Sequence, residues 1–178
     1  MKWFVAVCVC FILYGCPSSG LRSGERPELP RPLSITIGTT DRVNPSVSGR
    51  PSPIVVRIFE LSNDTRFLAA DYFELTGQDM PTLGGDVLAS DEYSLIPTQI
   101  QIVERKAASG SKFLGIVAAY RDPSASVWRG IVPLPEPYLA GRLWSNNVSP
   151  TWRQTFVLDD KGVIIRRDDK ERGPEAKP

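Results

Sequence analysis

The chain has 178 residues, with 21 Lys and Arg against 20 Asp and Glu, no histidine and a formal charge of +1. A near-neutral balance with no cationic block argues against nucleic-acid binding, which needs Lys and Arg gathered on one face, and the missing histidine removes Ser-His-Asp and Cys-His catalysis within this chain. Three cysteines cannot form a closed set of pairs, so a disulfide framework is not expected to hold the fold.

The first segment is a leader. Trp3 to Gly15 is uncharged and mostly apolar behind Lys2, too short for a spanning helix and of the length of a secretory signal core. It ends in Leu13-Tyr14-Gly15-Cys16, which looks like a bacterial lipobox: cleavage before a cysteine acylated on sulfur. Residues 1–15 are therefore read as a lipoprotein signal peptide and Cys16 as the lipidated first residue of the mature chain, an ordinary signal peptide or an uncleaved anchor being the alternatives. Cys8 and Cys10 leave with the leader, and acylation accounts for a Cys16 that would otherwise be unpaired. No cofactor is expected beyond this covalent lipid.

Residues 16–33 follow as lipidated cysteine and tether. The stretch "PSSGLRSGERPELPRP" holds four prolines and no apolar periodicity, so it is expected to be partly extended, reaching on the order of 50 Å at about 3 Å per residue. Residues 34–167 are read as one domain. In "LSITIGTT" Ile35 and Ile37 alternate with polar or small residues, as a half-buried strand requires. "PIVVRIFEL" puts Val55, Arg57, Phe59 and Leu61 on one face and Ile54, Val56 and Ile58 on the other.

In "NDTRFLAADYFEL" Leu68, Tyr72 and Leu75 recur at i, i+4 and i+7 behind Asn63 or Asp64, the pattern of one short capped amphipathic helix. Thr76 to Leu95 carries Gly77, Pro81, Gly84 and Gly85 and reads as loop with a helical turn. "TQIQIVE" alternates through Ile100 and Ile102, and "KFLGIVAAY" is apolar or small on both faces, as a central strand covered on both sides would be. "WRGIVPLP" is stopped by Pro133 and Pro135, and "TFVLDDKGVIIRR" reads as a hairpin whose Gly162 supplies a positive φ. These pieces assemble as a mainly β, two-sheet antiparallel β-sandwich with a short helical insertion. From residue 168 to 178 the chain is polar except for Ala176 and is read as a disordered charged tail.

Little chemistry survives inspection. Ser109 to Lys112 spells S-x-x-K, but it joins two strands and reads as a surface turn, not as the start of the buried helix that Ser-Lys hydrolases use. The acid pairs Asp91-Glu92, Asp159-Asp160 and Asp168-Asp169 are placed in turns or tails, where a solvated role is favoured over glycosidase or calcium chemistry. The sequons at Asn63 and Asn147 are expected to stay bare in a bacterial lipoprotein. Trp3 leaves with the leader, while Trp128, Trp144 and Trp152 flank strands or loops and are read as packing residues. Aligned as a stacking platform they would instead favour a glycan-binding sandwich. No enzyme is visible.

The most distinctive stretch is "DRVNPSVSGRPSPIVVRIFEL", residues 41–61, with an Asn-Pro turn, a Gly-Arg-Pro-Ser-Pro loop and a strand carrying Arg57 among apolar residues. With the lipobox, "FLAADYFEL" and "GIVAAYRD...WRGIVPLP", it resembles the type VI secretion lipoproteins called TssJ, SciN or VasD. The resemblance covers most of residues 34–135 and departs from the family pattern at Tyr14 and Phe59. It implies a transthyretin-like sandwich on the periplasmic face of the outer membrane, sorted there because Pro17 replaces the Asp of inner-membrane retention. It also implies no enzymatic activity and, as partner, the periplasmic C-terminal domain of TssM within a TssJ–TssL–TssM complex.

By the same resemblance the loop between the first two strands grips TssM, at Asp41, Arg42, Val43, Asn44, Pro45, Val47, Arg50 and Pro51. The residue types suit that role. Pro45, Pro51 and Pro53 restrict the loop, Arg42 and Arg50 are of the type enriched among interface anchors, and Val43 and Val47 offer apolar contact. Arg57 is expected to pair within the fold or face solvent.

Overall fold

The computed structural model describes residues 28–77, 82–139 and 149–167. The leader, Cys16, the tether as far as residue 27, Trp144, Asn147 and the tail from residue 168 lie outside them.

Among the described residues eight strands form two four-stranded sheets. One has the order β4-β1-β7-β8, from β1 (Pro32–Thr39), β4 (Ile100–Lys106), β7 (Trp152–Leu158) and β8 (Val163–Arg167); the other has the order β3-β2-β5-β6, from β2 (Ile54–Leu61), β3 (Val87–Leu95), β5 (Phe113–Ala118) and β6 (Arg129–Pro133). All pairings are antiparallel except β1 with β7, which run parallel. Ile35 and Ile37, which the alternation in β1 sets apart, lie in the core with Leu33, where they meet Ile54, Val56 and Ile58 of β2 together with Leu114, Ile116 and Phe156. β5 is interior to its sheet and buried from Leu114 to Ala118, as its apolar faces require.

A third layer covers the second sheet. Phe59 and Leu61 of β2, Val117 of β5, Phe67, Leu75 and Leu83 form a second apolar cluster under two short helices, α1 (Thr65–Ala69) and α2 (Tyr72–Thr76). A side chain at position 115 would come within 2.8 Å of the Phe67 ring, so Gly115 is what allows this close approach. The single helix expected here is broken because Asp71 starts α2 with a capping box, its carboxylate accepting from Glu74 N while Glu74 accepts from Asp71 N, both at 2.8 Å. Phe67 and Leu75 face inward, whereas Leu68 is exposed.

Strand arginines hold the carboxyl ends of both helices. Arg129 of β6 donates to the carbonyls of Phe67 and Ala70 at 3.0 and 2.8 Å, and Arg57 of β2 to those of Leu75 and Gly77 at 3.2 and 2.7 Å while pairing with Glu92. Unpaired carbonyls at a helix end attract cations for this reason.

Three further readings change. The segment read as loop up to Leu95 contains a full strand, β3, after a 3-10 turn at Gly84–Asp86. Its Asp91-Glu92 pair therefore lies in a strand, the carboxylates going to opposite faces and to different arginines, Arg105 and Arg57. In β4 the apolar alternation faces outward: Ile100 and Ile102 are exposed, while Val103 is buried and Arg105 reaches across to the buried Glu60 of β2. Finally, the fold begins before residue 34. β1 starts at Pro32, Leu29 N donates to Tyr138 O at 2.7 Å, and Arg31 is buried.

Candidate partner-binding site

The loop after β1 leaves the end of the sandwich opposite Pro32, where β1 begins. Strand direction places the β3–β4 connection, the segment after β5 and the β7–β8 turn at the same end. Thr39 fastens the loop's first residues, its hydroxyl donating to Ile96 O at 2.7 Å and accepting from Gln99 N at 2.9 Å.

Two residues expected to face the partner turn inward instead. Val43 is wholly buried in the core between the sheets, where apolar burial fixes it. Asn44 is also buried, in the left-handed region at φ 47 that Asn tolerates better than most residues. Its amide donates to Pro53 O at 2.7 Å and accepts from Arg121 N at 2.9 Å. Val43 and Asn44 thus brace the loop, and neither can offer the contact expected of it.

The remaining six residues, Asp41, Arg42, Pro45, Val47, Arg50 and Pro51, are exposed. Ser46 N donates to Arg50 O and Gly49 N to Ser46 O, both at 2.8 Å, closing a tight turn that needs Gly49 at φ 75. Val47 stands at its tip with its side chain wholly in solvent. Arg42 lies 3.6 Å from Asp160 in the β7–β8 turn, an exposed pair of small energetic weight.

Beside the loop is a groove of about 550 Å³ whose far wall is Arg121, Asp122, Ala125 and Ser126. Tyr120 forms its floor. Burial, with the Asp159 and Asp160 carboxylates, raises the Tyr120 phenol well above its usual range, and its hydroxyl donates to Asp159 O at 3.0 Å. Asp122 accepts from the Ser124 hydroxyl, which holds its carboxyl below the usual range. The wall after β5 was not anticipated, although Asp122-Pro-Ser-Ala-Ser126 is a run of turn formers that marks a structured loop.

The other candidates are structural. Ser109 to Lys112 is the β4–β5 turn, with Gly110 at φ 81. Trp128 is engaged by Tyr72, 5.3 Å away edge-on, and by Arg129 over its ring at 4.9 Å, and Trp152 packs against the core; neither is a free stacking platform. Among the described residues no group of acids or cysteines is arranged to hold a metal ion, and no helix is long and apolar enough to cross a membrane.

The comparisons agree with this architecture. The family model for type VI secretion lipoproteins (SciN, VasD, EvfM, TssJ) matches residues 31–162. The lipoprotein TssJ1 of Pseudomonas aeruginosa is 31% identical, with a TM-score of 0.64 over 78% of this chain and 98% of that one. Lip of Serratia marcescens, a membrane-bound component of the type VI secretion system, is 26% identical, with a TM-score of 0.69 over 79% and 99%. A structure of the type VI secretion protein TssM C-terminal domain from EAEC matches in fold at 22% identity, with a TM-score of 0.61 over 77% and 98%. No curated protein sequence matches. A sandwich with this helical third layer, matched by the family model along most of its length, belongs to the type VI secretion lipoprotein family of TssJ.

Proposed function

We propose that this lipoprotein is held on the periplasmic face of the outer membrane by acyl chains on Cys16 and binds the periplasmic C-terminal domain of TssM with the loop between β1 and β2. It does so without chemistry of its own and with no cofactor beyond the lipid, as part of a TssJ–TssL–TssM complex. The observation that carries this reading is the loop's placement and stiffness. It lies one strand length, about 26 Å, from Pro32, where the eight-residue β1 begins, at the opposite end of the sandwich from the one at which the chain enters that strand. It is braced from below through Val43 and Asn44, so little order is lost when a partner docks. A single acyl chain gives only marginal attachment, and the several chains of a mature lipoprotein satisfy the need for more than one.

The test is calorimetric titration of residues 21–178 with the TssM C-terminal domain of the same organism. Val47→Asp and Arg50→Glu are each expected to weaken binding by about tenfold or more, roughly 1.4 kcal/mol, without moving the melting temperature. Unchanged affinity in both variants would dismiss the loop, and no binding by the intact domain would dismiss the partner. A Gly-Ser replacement of the whole loop would have to spare Val43 and Asn44, which are buried and brace the fold.

A further inference from the structure

We infer that the domain also serves as a tension-bearing link, with β1 as the strand that carries the load. The direction of that load rests on the docking reading above; the strength of β1 does not.

The chain enters β1 at Pro32, behind the fastened Leu29 and Arg31, and the loop leaves it at Thr39. A pull that separates the lipid anchor from a partner seated on the loop therefore runs along the axis of this one strand. β1 lies inside its sheet, paired with β4 from Pro32 to Gly38 and with β7 from Leu33 to Thr39. Ladder hydrogen bonds run across a strand, so an axial pull strains both ladders together. A sideways pull on an edge strand opens its bonds one after another.

Both ends of β1 are fastened outside the ladders. At the entry the buried Arg31 guanidinium donates to Pro135 O at 2.7 Å and Ser111 O at 2.6 Å, and Arg31 O accepts from Ala107 N at 2.8 Å. At the exit the Thr39 hydroxyl holds Ile96 O, and Asn44 ties the loop to Pro53, next to β2, and to Arg121, just beyond β5. Load arriving at either end is thus shared with the second sheet. Sliding β1 would also drag Leu33, Ile35 and Ile37 out of the core.

The weak geometry exists in the same molecule. β8 is an edge strand, and its last residue lies at the same end of the sandwich as Pro32, because β7 runs parallel to β1 and β8 antiparallel to β7. Tension between the two chain ends peels β8 from β7.

Single-molecule pulling distinguishes the two. The chain from Cys16 to Pro178, produced without its leader so that Cys16 is a free thiol, is held through that thiol and pulled through Val47→Cys or through Pro178→Cys. Forced unfolding is governed by the unfolding barrier, and the loop geometry should need about twofold or more the force of the end-to-end geometry at equal loading rate. Asn44→Ala should lower the force in the loop geometry and leave the end-to-end force unchanged. Equal forces in the two geometries, or an Asn44→Ala loss of the same size in both, would overturn the inference. Failure to bind TssM in the titration would remove the docking reading and leave this mechanical result standing.

Discussion

The two sheets share one core and differ on their outer faces. The β3-β2-β5-β6 sheet is roofed by α1 and α2, which seal Phe59, Leu61 and Val117 beneath Phe67, Leu75 and Leu83. Across the outer face of the β4-β1-β7-β8 sheet the register aligns Ile100, Gly38, Val157 and Ile164 in one row, with Ile102 beside it and, among the described residues, no helix above; Ile100 is 67% exposed and Ile102 57%. Stability should therefore be concentrated on one side. On the roofed side a side chain has neighbours above and below, whereas on the bare side the outward residues support only the strand itself.

The sharpest way to break that asymmetry is to take out the centre of the roof. Phe67→Ala removes a ring that packs on Gly115 and meets Phe59 edge-on at 5.6 Å, and should cost about 3–5 kcal/mol by denaturant unfolding. A cost below about 1 kcal/mol would mean that the helices contribute little and that the sheets are equivalent. Next comes the clamp between the sheets, from β2 to β4. Glu60 is 1% exposed, pairs with Arg105 of the opposite sheet and accepts from Ala108 N at 2.6 Å. Glu60→Ala leaves a cation and an amide without this partner and should cost about 3 kcal/mol. A marginal effect would show Asp91, the other carboxylate on Arg105, taking over the role.

The same asymmetry decided what could be read in advance. Strands whose apolar residues all face the core, such as β1 and β5, announce themselves through period and composition. β3 did not, because the middle of the strand is Ser90-Asp91-Glu92, and the arginines that make those acids tolerable lie 14 and 35 residues away. β4 showed its period but not its direction: alternation says which residues share a face, never which face is inside. The helical insertion was visible and its break was not, although Asp71 and Glu74 carry a start signal in the middle of the run. At the candidate site the loop's boundaries followed from resemblance and its prolines. The inward turn of Val43 and Asn44 depends on partners at Pro53 and Arg121, and the second of these is too far along the chain for local pattern to supply.

A smaller effect tests how the two sheets are joined at the loop end. Tyr120 belongs to the shared core and donates its hydroxyl to Asp159 O in the β7–β8 turn. Its phenol is raised by burial first and then by the Asp159 and Asp160 carboxylates. A group whose folded pKa lies above its unfolded value contributes stability that is fully present below the unfolded value, about 10 for tyrosine, and lost as pH rises through the folded one. Stability should thus decline above about pH 10. Tyr120→Phe should cost about 1 kcal/mol at neutral pH, for one hydrogen bond, and flatten the alkaline decline. An unchanged alkaline limb in the variant would assign the decline to other groups.

The smallest effect is expected on the bare face, where it is also the most informative. Ile100→Thr and Ile102→Thr keep β-branched residues that suit a strand and remove apolar surface that is already in water. Each should change stability by less than about 0.5 kcal/mol, as surface substitutions do. The same exchange at Ile35 or Ile37, inward on the neighbouring strand and wholly buried, buries a hydroxyl in the apolar core and should cost about 2 kcal/mol or more. The two positions on β4 and the two on β1 lie within one sheet, so local strand propensity is shared and only burial differs. A loss above about 1 kcal/mol at Ile100 or Ile102 would mean that this outer face is covered in solution, and the asymmetry between the sheets would then be a difference in what covers them rather than in whether they are covered.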